Sequence, residues 1–346
     1  MNMFCILSCL CVASLISCNK DTAPPVVVDD DLDGPISRPS SGYGANGTHV
    51  AGEQDFFNPG YPAAQATVFY PSDMSIPRPV IFYSHPYGGQ SKEYNRGLYE
   101  FVARKGYILV FVPYPTFGVS VTDRYNTLWT GFNKAVELYG PKMDLTKVGF
   151  AGHSFGGGAS IGLGYKAFTE KGWGAKGRFI FTMAPWYSYQ ITDPELENFP
   201  ANTQFITQVY DDDNVNDHRM AIDIFKHISI PNSEKDFVYV KAGVINGYHY
   251  VADHAVPSSR TAYDAYDYHA VYRLLDALMD YSFNQNPAAK NTALGNGSAA
   301  QVTMPGYNGQ TLPPLEVTDN PTPRFKQDKY EFKCGDPMNP RSDHCE

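Results

Sequence analysis

A serine between two glycines is the residue best placed in this sequence to act as a nucleophile. Residues 152–157 read GHSFGG, after an apolar stretch at 147–151 and before a run of small residues at 159–169. A strand, then G-x-S-x-G, then a helix is the context in which a tight turn exposes a serine hydroxyl. The pattern therefore predicts Ser154 as the nucleophile of an acyl transfer, with the amide of Phe155 as one oxyanion donor.

A second oxyanion donor is expected from the loop after an earlier strand. Residues 84–89 read SHPYGG and follow the apolar stretch 80–83. Pro86 has no N–H, so the amide of Tyr87 is the expected donor, and the two glycines let the backbone turn beneath a substrate. An ordinary turn is the competing interpretation of this loop.

The acid that orients the catalytic base is expected after the strand predicted at 205–210. The sequence there reads DDDNV over 211–215. The usual form is Asp, any residue, then Val or Ile, which favours Asp213 and leaves Asp211 and Asp212 as alternatives. A helix N-cap and a weak calcium loop are the competing interpretations of the acidic cluster.

The chain order of serine, acid and then histidine narrows the choice of base. It excludes three of the nine histidines, which are His49, His85 and His153. Of the rest, His249 and His254 lie between a predicted strand and the last predicted helix, where the base belongs. The stretch NGYHY resembles Gly-x-x-His loops that carry such a base, one residue shorter. It favours His249, with His254 as the alternative.

These side chains require an alternation of strands and helices to position them. Apolar stretches predict strands at 68–70, 79–84, 107–112, 147–151, 179–183, 205–210 and 237–241. Helical spacing predicts helices at 92–104, 122–139, 159–169, 217–228 and 264–283, with Thr122 or Asp123 as the N-cap of the second. Strands that alternate with helices predict an α/β fold, in which helices cover both faces of a mostly parallel sheet.

The N-terminal residues indicate export. The first eighteen, MNMFCILSCLCVASLISC, carry no charge and are too few to span a membrane, which predicts a signal peptide over 1–17. LISC at 15–18 resembles the bacterial lipobox, so Cys18 is expected to be lipidated and to anchor the protein at the cell envelope. A secreted protein with an ordinary signal peptide is the alternative. Residues 18–45 are rich in Pro, Asp, Ser and Gly and predict a linker.

The remaining composition restricts the partners. The net charge is −9 and no long basic run occurs, which argues against nucleic acid as a partner. A catalytic domain is predicted over 46–285, followed by a polar extension over 286–346. Cys334 and Cys345 flank a short loop in this extension and predict a disulfide in an exported protein. The expected form is a monomer that needs no metal or organic cofactor.

From about residue 46 to 283 the chain resembles the α/β-hydrolase superfamily. Within it, the resemblance is to bacterial cutinases and polyester hydrolases, with dienelactone hydrolases and chlorophyllases as relatives. The motifs that carry it are GHSFGGGAS, SHPYGG, D-x-x-K-V at 144–148 and APW at 184–186. The chain departs from the family's pattern at Pro86, where glycine is usual, and in its acidic linker and its residues 284–346.

The resemblance implies a serine carboxylic ester hydrolase that acts on hydrophobic esters, including polyesters. It also implies that Tyr87 and Trp186 form aromatic walls on either side of a bound ester, whereas core packing is the competing role for Trp186. A lipase, an acyltransferase, a peptidase or an inactive binding module on the same fold are the alternatives, because fold alone does not fix function.

Overall fold

The computed structural model describes residues 33–258 and 263–345. The predicted signal peptide and Cys18 lie outside these residues, as does the first half of the predicted linker. In the part of the chain that is described, no helix is both long and apolar enough to cross a membrane.

A nine-stranded sheet forms the centre of the protein. Its strands are Ala51–Phe57 (β1), Gln65–Pro71 (β2), Arg78–Ser84 (β3), Ile108–Phe111 (β4), Met143–His153 (β5), Gly177–Met183 (β6), Thr203–Tyr210 (β7), Lys235–Val240 (β8) and Glu316–Thr318 (β13). Their order across the sheet is β1-β2-β4-β3-β5-β6-β7-β8-β13. All pairs from β4 to β8 are parallel, whereas β1–β2, β2–β4 and β8–β13 are antiparallel. The predicted α/β class with a mostly parallel sheet is confirmed.

Helices cover both faces of this sheet. They are Arg96–Arg104 (α1), Val121–Tyr139 (α2), Phe155–Glu170 (α3), Asp193–Glu197 (α4), Arg219–His227 (α5), Arg273–Asn284 (α6), Pro287–Ala293 (α7) and Ala299–Val302 (α8). Apolar residues of α1 and α6 pack on one face, and those of α2, α3 and α5 pack on the other. The strands between them are buried on both sides, which explains their continuous apolar sequences.

Several helix boundaries differ from the prediction by a few residues, and two of the differences concern how a helix begins. The N-cap of α2 is Ser120, not Thr122 or Asp123, because the Ser120 hydroxyl accepts from the Asp123 amide while the Asp123 carboxylate reaches back to it. The last long helix is preceded by a π-helical stretch, Asp267–Tyr272, and becomes regular only from Arg273.

The C-terminal extension returns to the sheet and then leaves it. It carries α7, α8 and a small hairpin of Gly306–Tyr307 (β11) and Gln310–Thr311 (β12), and β13 then adds the edge strand beside β8. Residues 326–345, named here the C-terminal strap, follow. The predicted disulfide between Cys334 and Cys345 is confirmed, with the two Cα atoms 5.6 Å apart.

Candidate active site

Ser154 stands on a strained turn between β5 and α3. Its φ of 54° and ψ of −119° are values that a residue with a side chain rarely adopts. The Ser154 amide donates to the carbonyl of Met183 at 2.9 Å, which fixes the turn. A Cβ on Gly156 would overlap the Ser84 carbonyl oxygen, and one on Gly152 would overlap the Gly156 carbonyl. Both flanking positions therefore require glycine.

The amide of Phe155 has no hydrogen-bond acceptor among the described residues, so it can bind an anion. The first bond within α3 runs from the Gly158 amide to the Ser154 carbonyl at 3.1 Å, so the preceding amides have no acceptor inside the helix. Three unpaired amides at a helix start carry a positive partial charge. The amide of Phe155 is the first of them after Ser154.

The facing loop also has an amide, that of Tyr87, without an acceptor in the part of the chain that the structure describes. The Gly89 amide donates to the Pro86 carbonyl at 2.9 Å, and Gly88 has a φ of 82°, so residues 86–89 form a turn that needs glycine at its third position. The turn bond does not involve the amide of Tyr87. The side chain of Tyr87 donates from its hydroxyl to the Thr116 carbonyl at 2.8 Å.

A buried histidine holds this loop in shape. The His85 ring stacks on Tyr114 with the ring centroids 3.9 Å apart. Its Nδ1 lies 2.7 Å from the Pro86 carbonyl and its Nε2 accepts from the Tyr114 amide at 3.1 Å, so the ring is neutral and carries its proton on Nδ1. Burial lowers the pKa of His85 to about 3. His85 therefore has a structural role in this loop and remains neutral.

Asp213 and His254 form a carboxylate–imidazole pair at this site. The Nδ1 of His254 lies 2.8 Å from Oδ2 of Asp213, which is fully buried. Oδ1 of Asp213 accepts from the amides of Val215 at 2.7 Å and Asn216 at 3.3 Å. A buried carboxylate with its other oxygen saturated in this way can orient an imidazole, and His254 borders the same cavity as Ser154.

The structure does not bring His249 to Asp213. His249 is exposed on the second strand of a hairpin formed by Gly243–Ile245 (β9) and Tyr248–Tyr250 (β10), where it pairs with Val244. The two turn residues, Asn246 and Gly247, have φ values of 51° and 81°. Asn-Gly is the usual signature of such a tight hairpin turn, and it was the signal against a catalytic loop here. His254 replaces the favoured His249 for this reason.

The two alternative acids, Asp211 and Asp212, have other partners than His254. Asp212 accepts from the Ala252 amide at 3.2 Å and its own amide donates to the Ala252 carbonyl at 2.8 Å. This pairing holds the loop that carries His254. Oδ1 of Asp211 lies 3.6 Å from Nη1 of Arg324, and burial raises the pKa of the Asp211 carboxyl.

The contact of Asn216 with Ser154 was not predicted from the sequence. The buried Asn216 side chain donates from Nδ2 to Oγ of Ser154 at 3.3 Å and to the Ala184 carbonyl at 2.8 Å. It therefore holds the serine oxygen from one side and leaves the serine proton available for another acceptor. Another unforeseen neighbour is His153, whose buried ring lies 4.8 Å from the ring of His254. Burial keeps the pKa of His153 well below its ordinary value, so it is neutral.

A cavity of about 570 Å³ opens above Ser154. Tyr87, Trp186 and Phe332 are its aromatic walls, and the Trp186 ring lies 5.5 Å from the Phe332 ring. Trp186 also packs on Phe155 at 5.8 Å and stacks on Tyr187 at 4.5 Å. Trp186 therefore both packs against its neighbours and lines the cavity. A cavity of about 940 Å³ lies at the amino ends of β5, β6 and β7, away from Ser154.

The C-terminal strap completes the cavity with Glu331, Phe332 and Met338. The amides of Glu331 and Phe332 each donate at 2.8 Å to the loop that follows Asp213, at the carbonyls of Asn214 and Val215. Backbone hydrogen bonds thus join the strap to residues 214–216, named the acid loop, as they would join two parallel strands.

Ionic contacts fasten the far end of the strap to α5. Nε and Nη2 of Arg341 donate to the two carboxylate oxygens of Asp223 at 2.6 and 2.8 Å, and both side chains are buried. Asp223, His227 and His344 have ligand-type atoms within 4.8 Å of one another. Because Arg341 already occupies both oxygens of Asp223, this cluster is an ion-pair network rather than an open metal site.

In comparison with known proteins, the sequence matches no family model and no curated protein. The geometry of the site is therefore the evidence for its chemistry. That geometry combines a strained serine at a helix start, two unused amides and a histidine paired with a buried carboxylate at one aromatic cavity.

Proposed function

We propose that this protein is a serine hydrolase of the α/β-hydrolase superfamily that cleaves carboxylic esters through an acyl-enzyme. The observation that carries the proposal is the hydrogen bond between His254 and the buried Asp213 at the cavity that holds Ser154. The order Ser154, Asp213, His254 along the chain is that of hydrolases with this serine motif.

Each residue has a defined role in the proposed reaction. His254 takes the proton from Ser154 as Oγ attacks the ester carbon, and it then gives that proton to the departing alcohol. Asp213 holds the proton on Nδ1 of His254, which leaves Nε2 as the base. The amides of Tyr87 and Phe155 stabilise the oxyanion. Water, activated by His254, hydrolyses the acyl-enzyme.

The walls of the cavity support a hydrophobic ester as substrate. Tyr87, Trp186 and Phe332 offer aromatic surface on which an aromatic or long aliphatic ester can lie. Polyester chains are within this class.

The test is hydrolysis of 4-nitrophenyl esters from acetate to decanoate and of an aromatic polyester film. We expect Ser154→Ala to lower kcat by about 10⁵-fold or more, as loss of the nucleophile does in other serine hydrolases. Ser154→Ala should also lose labelling by a fluorophosphonate. The matched control is Ser229→Ala, because Ser229 is exposed, does not line the cavity of Ser154, and donates from its hydroxyl to the Phe199 carbonyl. Ester hydrolysis that survives in Ser154→Ala would contradict the proposal.

A further inference from the structure

An arginine borders the cavity beside both oxyanion donors. Arg124 lies in the first turn of α2, and its guanidinium carbon is 5.2 Å from the ring centroid of Tyr87 and 5.6 Å from that of Phe155. It also lines the cavity that holds Ser154. A positive charge therefore stands at the edge of an otherwise aromatic cleft.

The hydrogen-bonding capacity of Arg124 is only partly used. Nη2 donates to the carbonyls of Thr116 at 2.8 Å and Val119 at 3.5 Å, whereas Nε is buried and has no partner among the described residues. No carboxylate within residues 33–258 and 263–345 forms an ion pair with it. A guanidinium presents five donors in a planar fork that fits a carboxylate.

The other charges of the cleft leave this position open to an anion. Among the described residues that line the cavity, Glu331 is the acidic one, and it is exposed on the strap. Some other arginines of the protein have acidic partners, as Arg96 has with Glu53 and Glu93. Arg124 instead faces the space where a substrate would lie.

We propose that Arg124 binds a free carboxylate on the substrate, so that the cleft accepts half-esters of dicarboxylic acids. This inference rests on the proposed ester hydrolysis. Oγ of Ser154 bonds to the ester carbon, the ester C–O bond breaks, and the alcohol leaves with the proton held by His254. Water then releases the second carboxyl group. Such half-esters are the chemical class that internal cleavage of a polyester of a diacid produces.

The test compares two substrates of equal acyl length. They are the 4-nitrophenyl half-ester of adipic acid, with a free carboxylate, and 4-nitrophenyl methyl adipate, which is neutral. The readout is the ratio of their kcat/KM values. We expect Arg124→Gln to lower this ratio about tenfold or more, because a hydrogen bond to a charged group is lost only for the half-ester. Arg124→Lys should keep part of the ratio.

Two controls separate the possible outcomes. Arg104→Gln removes a surface arginine that pairs with Glu100, and it should leave the ratio unchanged. Added salt should lower kcat/KM for the half-ester only. Equal losses for both substrates in Arg124→Gln would overturn the inference, because they would mean that Arg124 only props Tyr87. If neither ester were hydrolysed by the wild type, the proposed function itself would fail.

A binding measurement covers the case in which a variant turns over poorly. Adipate should inhibit hydrolysis of the neutral ester competitively in the wild type, and about tenfold more weakly in Arg124→Gln. Circular dichroism establishes that each variant is folded. Equal inhibition of both proteins would also overturn the inference.

Discussion

The two sides of the cleft are built in different ways. The side that carries Ser154 is part of the sheet and its apolar packing, with β5 buried from Val148 to His153 and α3 pressed against its neighbours at glycines. The opposite side, with Phe332 and Met338, belongs to the strap. Backbone bonds to the acid loop, a buried ion pair and a disulfide hold that side in place.

Because of this difference, the side with Ser154 would carry the proposed reaction, whereas the strap would set the shape of the cleft. A strained serine needs a rigid support, because nothing else would keep its backbone in an unfavourable conformation. A wall that only contacts the substrate needs position but no strain, and polar contacts provide that. Changes on the core side should therefore act on kcat, and changes in the strap should act on substrate preference and on local stability.

The largest effect on the core side is expected at the base. His254→Ala should lower kcat by about 10⁴-fold or more, because the proton of Ser154 then has no acceptor. His249→Ala is the matched control, since His249 is exposed on its hairpin, and its kcat should stay within about twofold of the wild type. Hydrolysis of 4-nitrophenyl butyrate measures both. The opposite ranking would restore His249 as the base.

The next effect is expected in the strap, at Arg341. Arg341→Met leaves the buried Asp223 carboxylate without its partner, and removal of one partner of a buried pair costs about 3–5 kcal/mol. We expect a lower Tm and faster proteolysis within the strap. The double variant Arg341→Met with Asp223→Leu should recover much of the loss, because no buried charge then remains.

The Arg341 variants also test the comparison itself. Fluorophosphonate labelling of Ser154 should persist in Arg341→Met below its Tm, since the turn between β5 and α3 that carries Ser154 is held by the core. Loss of labelling together with strap release would mean that the two sides form a single unit.

The smallest effect is expected at the aromatic wall. Phe332→Ala removes the ring that meets Trp186, and KM for an aromatic ester should rise about three- to tenfold, in line with about 0.5–1.5 kcal/mol for an aromatic pair. Hydrolysis of an acetate ester should change little. Phe57→Ala, at an exposed position on β1, is the control. An equal rise in KM for the acetate ester would contradict a role for Phe332 in substrate preference.

The local parts of the fold were predictable from the sequence because local patterns encode them. Apolar strands, helical spacing and the glycines around Ser154 each reflect a short-range constraint, and the structure has a strand or helix at each of these places. The choice between His249 and His254 was not local. It depends on how the chain folds after β8. The resemblance to a Gly-x-x-His loop favoured His249, although the Asn-Gly pair in the same stretch indicated a hairpin.

Contacts between residues that are far apart along the chain could not be predicted from the sequence. Asn216 meets Ser154 across 62 positions, and Phe332 meets the acid loop only after the chain has left the sheet edge at β13. Neither residue type is unusual for a loop. The cysteine spacing predicted the disulfide, but nothing in the sequence indicated which surface the closed loop covers.

The burial of His85 in its neutral form has a consequence for proton binding. In the unfolded chain this imidazole takes up a proton below about pH 6.5, whereas the native ring stays neutral until its pKa of about 3. His153 and His218 are also buried and neutral, and burial lowers the pKa of His218 to about 4. Below about pH 6.5 unfolding therefore draws protons onto these imidazoles, and their contribution to stability falls as the pH is lowered. Burial acts in the opposite direction at Asp236 and Asp264, because it raises the pKa of each carboxyl to about 6 and the folded protein takes up protons there first.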